Sequence, residues 1–356
     1  MKVVLLAPTP PPVGGIAMWT VRMMNAKLKH GWQVEVVDEK ILGNREFFGD
    51  KVKHDYFAEI KRCFNIWSGL WKALGDNDAK VVHACIAANS MPVMRECVSA
   101  FLTKLRRRRF IIHFRCTVPN MVRTKLNRLV VKLLCDISDC VMVLNQQSAD
   151  YISSISKTAV QLIPNFVEGA EVEASHTINE EVKRVLYAGG VIETKGCIDL
   201  IEVAKAFPNI EFRLLGNPDS RVKNAAKDVK NVMLLGAQPH EVVHDEMKKA
   251  DIFAFLSFFS GEGFSNSLAE AMACGLPCLV SDWAANNDMI ENKGGFVIPI
   301  KNPQAAIDTL RKMLPADVRQ RQSAFNINKI KTAYADEVVL AQYVDCYERC
   351  LGKNDL

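Results

Sequence analysis

Two α/β domains, each wound on a parallel sheet, are predicted by three observations: the chain's length, an alternation of strand-like and helix-like patterns, and one break in that alternation. At 356 residues the chain exceeds what one hydrophobic core usually organises, and two domains of roughly 150 to 180 residues each are expected. Apolar runs at 3–7, 34–37, 81–85, 110–114, 141–144 and 160–163 read as strands buried on both faces. Apolar residues at helical spacing fill the intervals at 17–30, 56–74, 121–135 and 146–154. Strand alternating with helix produces a doubly wound parallel sheet.

After Pro164 and Asn165 the pattern lapses into a polar, acidic stretch that includes Gly169 and runs to Glu181. Residues 168–182 read as a linker, which puts a first domain at 1–167. The pattern then restarts, with strands expected at 185–188, 212–215, 232–235, 252–256, 278–281 and 295–298 in a second domain over 183–333. The segment 334–356 carries an amphipathic helical pattern at 334–350. It is read as crossing back to pack on the first domain; the other reading is a helix that caps only the second. A cleft between two such domains is a natural ligand site.

Composition narrows the class. With 49% hydrophobic and 24% charged residues and no low-complexity tract, the chain is a globular protein. The first apolar run stops at Pro8, and Pro10, Pro11 and Pro12 follow, too short a run for a signal peptide or a membrane span, so a cytoplasmic location is expected. Eleven cysteines are odd in number, scattered, and nowhere spaced as Cys-x-x-Cys. They read as reduced, buried, small apolar residues, with no disulfide framework and no zinc site.

The net charge of +5 is uneven: Arg106 to Arg109 form a block, and Arg123, Lys125, Arg128 and Lys132 follow. No aromatic-basic RNA motif accompanies them, which argues against nucleic acid. An anionic membrane surface or a phosphorylated acceptor fits better. Tyr56, Phe57, Phe64, Trp67 and Trp71 add aromatics near helical spacing, read either as core or as a peripheral membrane face.

The segment Ser260-Gly-Glu-Gly-Phe-Ser-Asn-Ser-Leu-Ala-Glu-Ala-Met-Ala-Cys-Gly-Leu-Pro277 carries the chemistry. It sets two carboxylates eight residues apart across a strand-to-helix turn, with Glu262 on the loop and Glu270 in the helix. Gly263 allows close backbone approach, and Ser265, Asn266 and Ser267 are good helix caps, leaving amides at a helix N-terminus ready for a diphosphate. A simpler reading makes Ser267 and Glu270 a capping box and Glu262 a solvated carboxylate. That reading leaves Glu262-Gly-Phe and the closing Ala273-Cys-Gly-Leu-Pro277 without a reason.

The order of these elements resembles the Glu-x7-Glu signature of retaining glycosyltransferase family 4. The resemblance covers most of the chain and is tighter in its second half. It implies the GT-B fold: two facing Rossmann-like domains, an acceptor-side first domain and a nucleotide-sugar donor domain behind it. Tyr187-Ala-Gly-Gly-Val-Ile-Glu-Thr-Lys-Gly196 is similar to the family's first donor-domain loop, in which an arginine and a lysine clamp the diphosphate. Here Lys195 is kept and Gly190 stands where the arginine is usual.

By the same resemblance Gly14 and Gly15 look like the family's glycine loop, close to the donor, and His113 like the histidine near the donor sugar. Lys195 and the amides around Asn266 to Leu268 would hold the diphosphate, Glu270 the ribose and Glu262 the sugar. The glycines Gly216 and Gly236 end strands and look like nucleotide-pocket loops. Each also has a plain reading: tight turns for the glycines, a surface lysine for Lys195, a strand-end histidine for His113 and for His83. His240 and His244 lie four apart without a third ligand and read as solvated.

The implied activity is transfer of a sugar, with retained configuration, from a nucleotide-diphosphate donor to a glycan or lipid-linked acceptor in cell-surface polysaccharide assembly. No cofactor and no Asp-x-Asp metal site is implied; the nucleotide sugar is a co-substrate. Two other readings stand beside it. One is a non-catalytic nucleotide-sugar-binding subunit, favoured by Gly190; the other is a GT-B nucleotide-sugar epimerase or hydrolase. A peripheral position at the inner face of the membrane is expected for a lipid-linked acceptor.

Overall fold

The computed structural model describes residues 1–11, 14–40 and 56–352. Pro12, the last four residues of the expected 334–356 segment and the side chain of Tyr56 lie outside that description. The chain divides into two compact units, one of Met1–Asn165 with Val339–Leu356 and one of Phe166–Val338.

The first unit is built on β1 (Lys2–Ala7), β2 (Gln33–Asp38), β3 (Ala79–Ile86), β4 (Arg109–Phe114), β5 (Cys140–Val143) and β6 (Val160–Leu162). They form one sheet in the order β2-β1-β3-β4-β5-β6, parallel throughout, with Val3 opposite Val34 on one side and Val81 on the other. The apolar runs form strands because helices cover the sheet and remove Val4, Leu6, Val82, Phe110, Ile112 and Val141 from water. Each such side chain contributes about 1.5–3 kcal/mol. The helices Tyr56–Ala73, Ser90–Leu105 and Lys125–Ile137 pack side by side in this unit.

The second unit holds β7 (Arg184–Ala188), β8 (Glu211–Leu215), β9 (Val232–Gly236), β10 (Ile252–Phe255), β11 (Cys278–Ser281) and β12 (Gly295–Ile298). All pairings are parallel, in the order β12-β11-β10-β7-β8-β9. The first strand, β7, therefore lies between β8 and β10, and the strand order reverses at the β7/β10 junction. Ligands of open α/β sheets bind outside the carboxyl ends of the strands at such a switch point.

Three expectations change. Residues 168–182 are packed into the second unit instead of forming a linker: His176 is buried with Nε2 3.0 Å from Ala250 O, Glu173 N donates to Ala273 O, and Lys248 pairs with Glu173 at 2.8 Å. Polar residues there serve as packing partners, which hydropathy alone cannot reveal. The last helix starts at Asp336, because Ala335 is extended and its neighbours pair with Val167 (Val167 N to Tyr334 O, Asp336 N to Val167 O). The helix expected from residue 121 begins at Lys125, where Thr124 Oγ1 accepts from Asn127 N at 3.1 Å.

Candidate functional site

The loop after β7 contains the expected Lys195. Gly189 takes φ 144°, Glu193–Lys195 form a single 3₁₀ turn, and Gly196, at φ 75°, opens the helix Cys197–Lys205. A Cβ on Gly196 would lie 2.2 Å from Leu256 O, so glycine is required for this loop to sit on the end of β10. Phe258 N donates to Thr194 O at 2.9 Å, which fastens the loop after β10 to the loop after β7.

Across that seam Lys195 Nζ donates to Glu262 Oε2. The pair is largely enclosed, with 20% of the lysine side chain and 10% of the glutamate side chain exposed. Ser257 Oγ, 3.4 Å away, also points at Glu262 Oε2. The Lys195 ammonium lies 4.9 Å from the Phe259 ring centre and 5.7 Å from that of Phe255. Ser281 Oγ donates to Ser257 O at 2.6 Å and Trp283 Nε1 to Phe259 O at 2.8 Å, so β11 and the turn after it clamp the loop.

Three residues past Glu262, Ser265 caps the helix Asn266–Ala273, its Oγ accepting from Leu268 N at 3.3 Å. The cap is therefore Ser265, and the Ser267–Glu270 capping box does not form; Ser267 Oγ lies 3.3 Å from Ser265 Oγ instead. Glu270, 14% exposed, sits with Oε1 3.7 Å from His240 Nε2. His240 also approaches Glu171 at 3.8 Å, so it faces two carboxylates of this unit, an arrangement missed when it was read as merely solvated.

The glycines sort by geometry. Gly216 takes φ 136°, and a Cβ there would lie 1.8 Å from Gly189 O. Its N–H donates to Gly236 O at 2.8 Å, so the ends of β7, β8 and β9 close together. Gly190 is different: a Cβ would meet no heavy atom within 4 Å, and its carbonyl accepts from Tyr187 Oη at 2.8 Å. The site thus has a cation, a buried carboxylate, and a helix N-terminus with its positive dipole end, all at the switch point of one sheet.

Gly14, Gly15 and His113 belong to the first unit. Gly14 is the N-cap of the helix Gly15–Asn25, its carbonyl accepting from Met18 N at 2.9 Å, and a Cβ on Gly15 would enter open space. His113, expected at a strand end open to ligand, is instead completely buried. Its Nδ1 lies 3.1 Å from His83 Nε2, and His83 Nδ1 lies 2.8 Å from Tyr347 Oη. Arg115 lies 3.4 Å from both His113 ring nitrogens, 4.4 Å over the Trp19 ring, and donates to Asn165 Oδ1 at 2.5 Å.

Burial, and then the Arg115 charge, push both imidazoles down, His83 to about 3 and His113 well below its ordinary value, so both are neutral. Trp19, Arg115, Tyr343 and Tyr347 went unnoticed in the sequence because nothing in their spacing marks them. Ser257, Phe259 and Trp283 follow β10 and β11 directly, and their place at strand carboxyl ends was the available signal.

Residues 170–331 match the model of the family described as glycosyl transferases group 1. The chain is 28% identical over 182 residues to the amylovoran biosynthesis glycosyltransferase AmsK of Erwinia amylovora, a match covering 47% of this chain and 44% of that protein. It is 24% identical over 256 residues to the N-acetylgalactosamine-N,N'-diacetylbacillosaminyl-diphospho-undecaprenol 4-alpha-N-acetylgalactosaminyltransferase of Campylobacter jejuni, covering 67% of this chain and 68% of that protein. The chain thus spans less than half the length of the Erwinia relative. The structure of sucrose-phosphate synthase from Thermosynechococcus elongatus superposes with a TM-score of 0.78 at 16% identity, covering 98% of both chains, and the fold is GT-B. Through residues 170–331 the chain is thus similar to the glycosyl transferases group 1 family.

Proposed function

We propose that this chain is a retaining, metal-independent glycosyltransferase that moves a sugar from a nucleotide-diphosphate donor to a lipid-linked or glycan acceptor in cell-surface polysaccharide assembly. The observation that carries the reading is the Lys195–Glu262 pair at the β7/β10 switch point, followed directly by the helix Asn266–Ala273. Departure of a nucleoside diphosphate needs negative charge stabilised where it develops, and a lysine with a helix N-terminus supplies that without a metal ion. Glu262 accepts from the donor sugar's hydroxyls and Glu270 from the ribose. The relative in Campylobacter, named for transfer onto a diphospho-undecaprenol saccharide, supports a lipid-linked acceptor.

The first unit offers a surface for such an acceptor. Phe57, Ile60, Phe64 and Trp71 on the helix Tyr56–Ala73 are exposed, as are Met91, Met94, Val98, Phe101 and Leu105 on Ser90–Leu105 and Leu126, Leu129 and Leu133 on Lys125–Ile137. Each set recurs at three and four residues, so each helix carries an outward apolar stripe, and these helices are neighbours. Arg106, Arg107, Arg128 and Lys132 lie on or next to them. Apolar anchors interleaved with cations fit an anionic bilayer surface. No described helix is long and apolar enough to cross a membrane.

Gly190 favours a second reading, a nucleotide-sugar-binding subunit without turnover, since one of the two clamping cations is absent. One experiment separates the two: the purified chain is incubated with a panel of labelled nucleotide-diphosphate sugars and a diphospho-undecaprenol saccharide in anionic vesicles. Labelled lipid product with the donor's anomeric configuration is expected. Binding without product selects the second reading; neither binding nor product across the panel overturns both.

A further inference from the structure

Sequence spacing gave no reason to group any of the cysteines, yet the fold gathers three. Cys140 starts β5, and Cys346 and Cys350 lie one helical turn apart on the helix Asp336–Leu351, some two hundred positions later in the chain. Their sulfurs all lie within 4.8 Å of one another, with Cys140 Sγ 3.6 Å from Cys346 Sγ. All three thiols are unbridged, two buried and Cys350 half-buried. We propose that Cys140, Cys346 and Cys350 form a thiolate site for a soft d10 cation of the Zn²⁺ or Cd²⁺ class, holding the C-terminal helix on β5 of the first unit.

The distances favour a shared cation over a disulfide. A tetrahedral ion with bonds of about 2.3 Å to sulfur holds its sulfurs roughly 3.8 Å apart, close to the spacing of the first pair. A disulfide needs about 2.05 Å, would draw two of the sulfurs together, and would leave the third thiol over. One cation takes all three, and a water would complete its fourth position. The neighbouring Asp139 is engaged elsewhere, accepting from Lys104 Nζ at 2.5 Å and Phe110 N at 2.7 Å, so the ligand set is sulfur alone. Arg349, adjacent to Cys350 in sequence, is turned to Gln161 Oε1 at 2.9 Å and Asp345 O at 3.2 Å.

Binding releases the thiol protons and joins two chain segments far apart in sequence, so it stabilises the first unit in proportion to ion concentration. All three cysteines belong to the first unit, and failure of this proposal would leave the glycosyltransferase reading, which rests on Lys195 and Glu262, untouched. Soft thiolates, not hard carboxylates, make it selective for Zn²⁺, Cd²⁺ or Cu⁺ over Mg²⁺.

The test titrates the fully reduced, metal-free chain with Cd²⁺ and reads the ultraviolet thiolate-to-cadmium band. One Cd²⁺ per chain with the intensity of three thiolates is expected, together with a raised melting temperature. Cys350→Ser, at a half-buried position that should tolerate it, is expected to reduce the band to two thiolates. It should also weaken uptake by more than the roughly 10–100-fold that loss of a mere outer-shell partner costs. Cys63→Ser with Cys97→Ser, the other half-buried thiols, should change neither readout. No stoichiometric uptake, uptake indifferent to Cys350→Ser, or recovery of the three cysteines only as a disulfide would each overturn the proposal.

Discussion

Lys195 and Glu262, 67 positions apart, meet as an enclosed ion pair where the loops after β7 and β10 are fastened together. In the proposed reading, a donor diphosphate arriving at this switch point must compete with Glu262 for the lysine. Glu262→Gln should therefore leave nucleoside diphosphate affinity unchanged or tighter while transfer falls strongly. Lys195→Met should lose both, with transfer down by about 10²–10³, as for removal of one group that stabilises developing negative charge. Calorimetric binding and product formation read the two effects separately. The double variant should be far less damaged than the sum of the singles, because the residues act on one another.

Glu270, in the helix Asn266–Ala273, is the ribose ligand of the proposed donor site. Replacing a carboxylate that accepts hydrogen bonds from ribose removes about 1.5–3 kcal/mol, so Glu270→Ala should weaken nucleotide binding by roughly 10–100-fold. His240, 3.7 Å from Glu270 on the exposed side, orients it at most, and His240→Ala should change affinity only severalfold. Equal loss in both variants would assign the ribose contact to the histidine.

Gly190→Arg is a gain-of-function test. The position is exposed, and an added Cβ meets nothing within 4 Å, so an arginine is sterically admissible. A second cation beside the leaving diphosphate should raise transfer by tenfold or more, within the about 10²–10³ that one such group supplies. An unchanged rate would show that Lys195 and the helix N-terminus already neutralise the charge. Gly196→Ala is the opposite case, since its Cβ would strike the backbone of Leu256, and it should cost both stability and transfer.

The two sheets were legible because parallel strands buried on both faces leave near-continuous apolar runs, and the loop and helix around Glu262 and Glu270 were legible because their order is distinctive. The Lys195–Glu262 contact was not, since strand order decides which loops become neighbours and strand order leaves no local trace. His113 misled for a related reason. Its strand-end position was visible, but its burial depends on the adjacent Arg115 and on Trp19 and Tyr343, which come from two other segments. The apolar stripes on Ser90–Leu105 and Lys125–Ile137 were not legible in sequence, because helical spacing alone does not say which face meets protein.

That exposed face predicts membrane behaviour. Phe101 is 60% exposed and Leu129 63%, so Phe101→Glu and Leu129→Glu should fold normally. Each anchor withdrawn from a bilayer forfeits about 1.5–3 kcal/mol, so the double variant should lose flotation with anionic vesicles. Its KM for a lipid-linked acceptor should rise while binding of the nucleotide donor stays the same. Retained flotation would place the docking face elsewhere.

The His83–His113 pair predicts an acid-sensitive first unit. Arg115, Cys85, Tyr343 and Tyr347 surround it, and no carboxylate is paired with either ring among the described residues. Burial pushes His83 down to about 3 from its ordinary 6.5 and holds His113 well below its ordinary value. Between those values the unfolded chain holds protons that the folded chain refuses, so stability rises with pH. The full contribution of His83 is present above pH 6.5 and is lost as pH falls towards 3, and that of His113 is lost in the same direction. Four of the five tryptophans, Trp19, Trp32, Trp67 and Trp71, lie in the first unit, and Trp283→Phe makes tryptophan fluorescence report that unit alone. Denaturant midpoints measured from pH 7 to pH 4 should fall steeply in this background, and adding His83→Gln should flatten the slope whatever it does to the midpoint itself. An unaltered slope would mean that the pair is protonated in the folded chain.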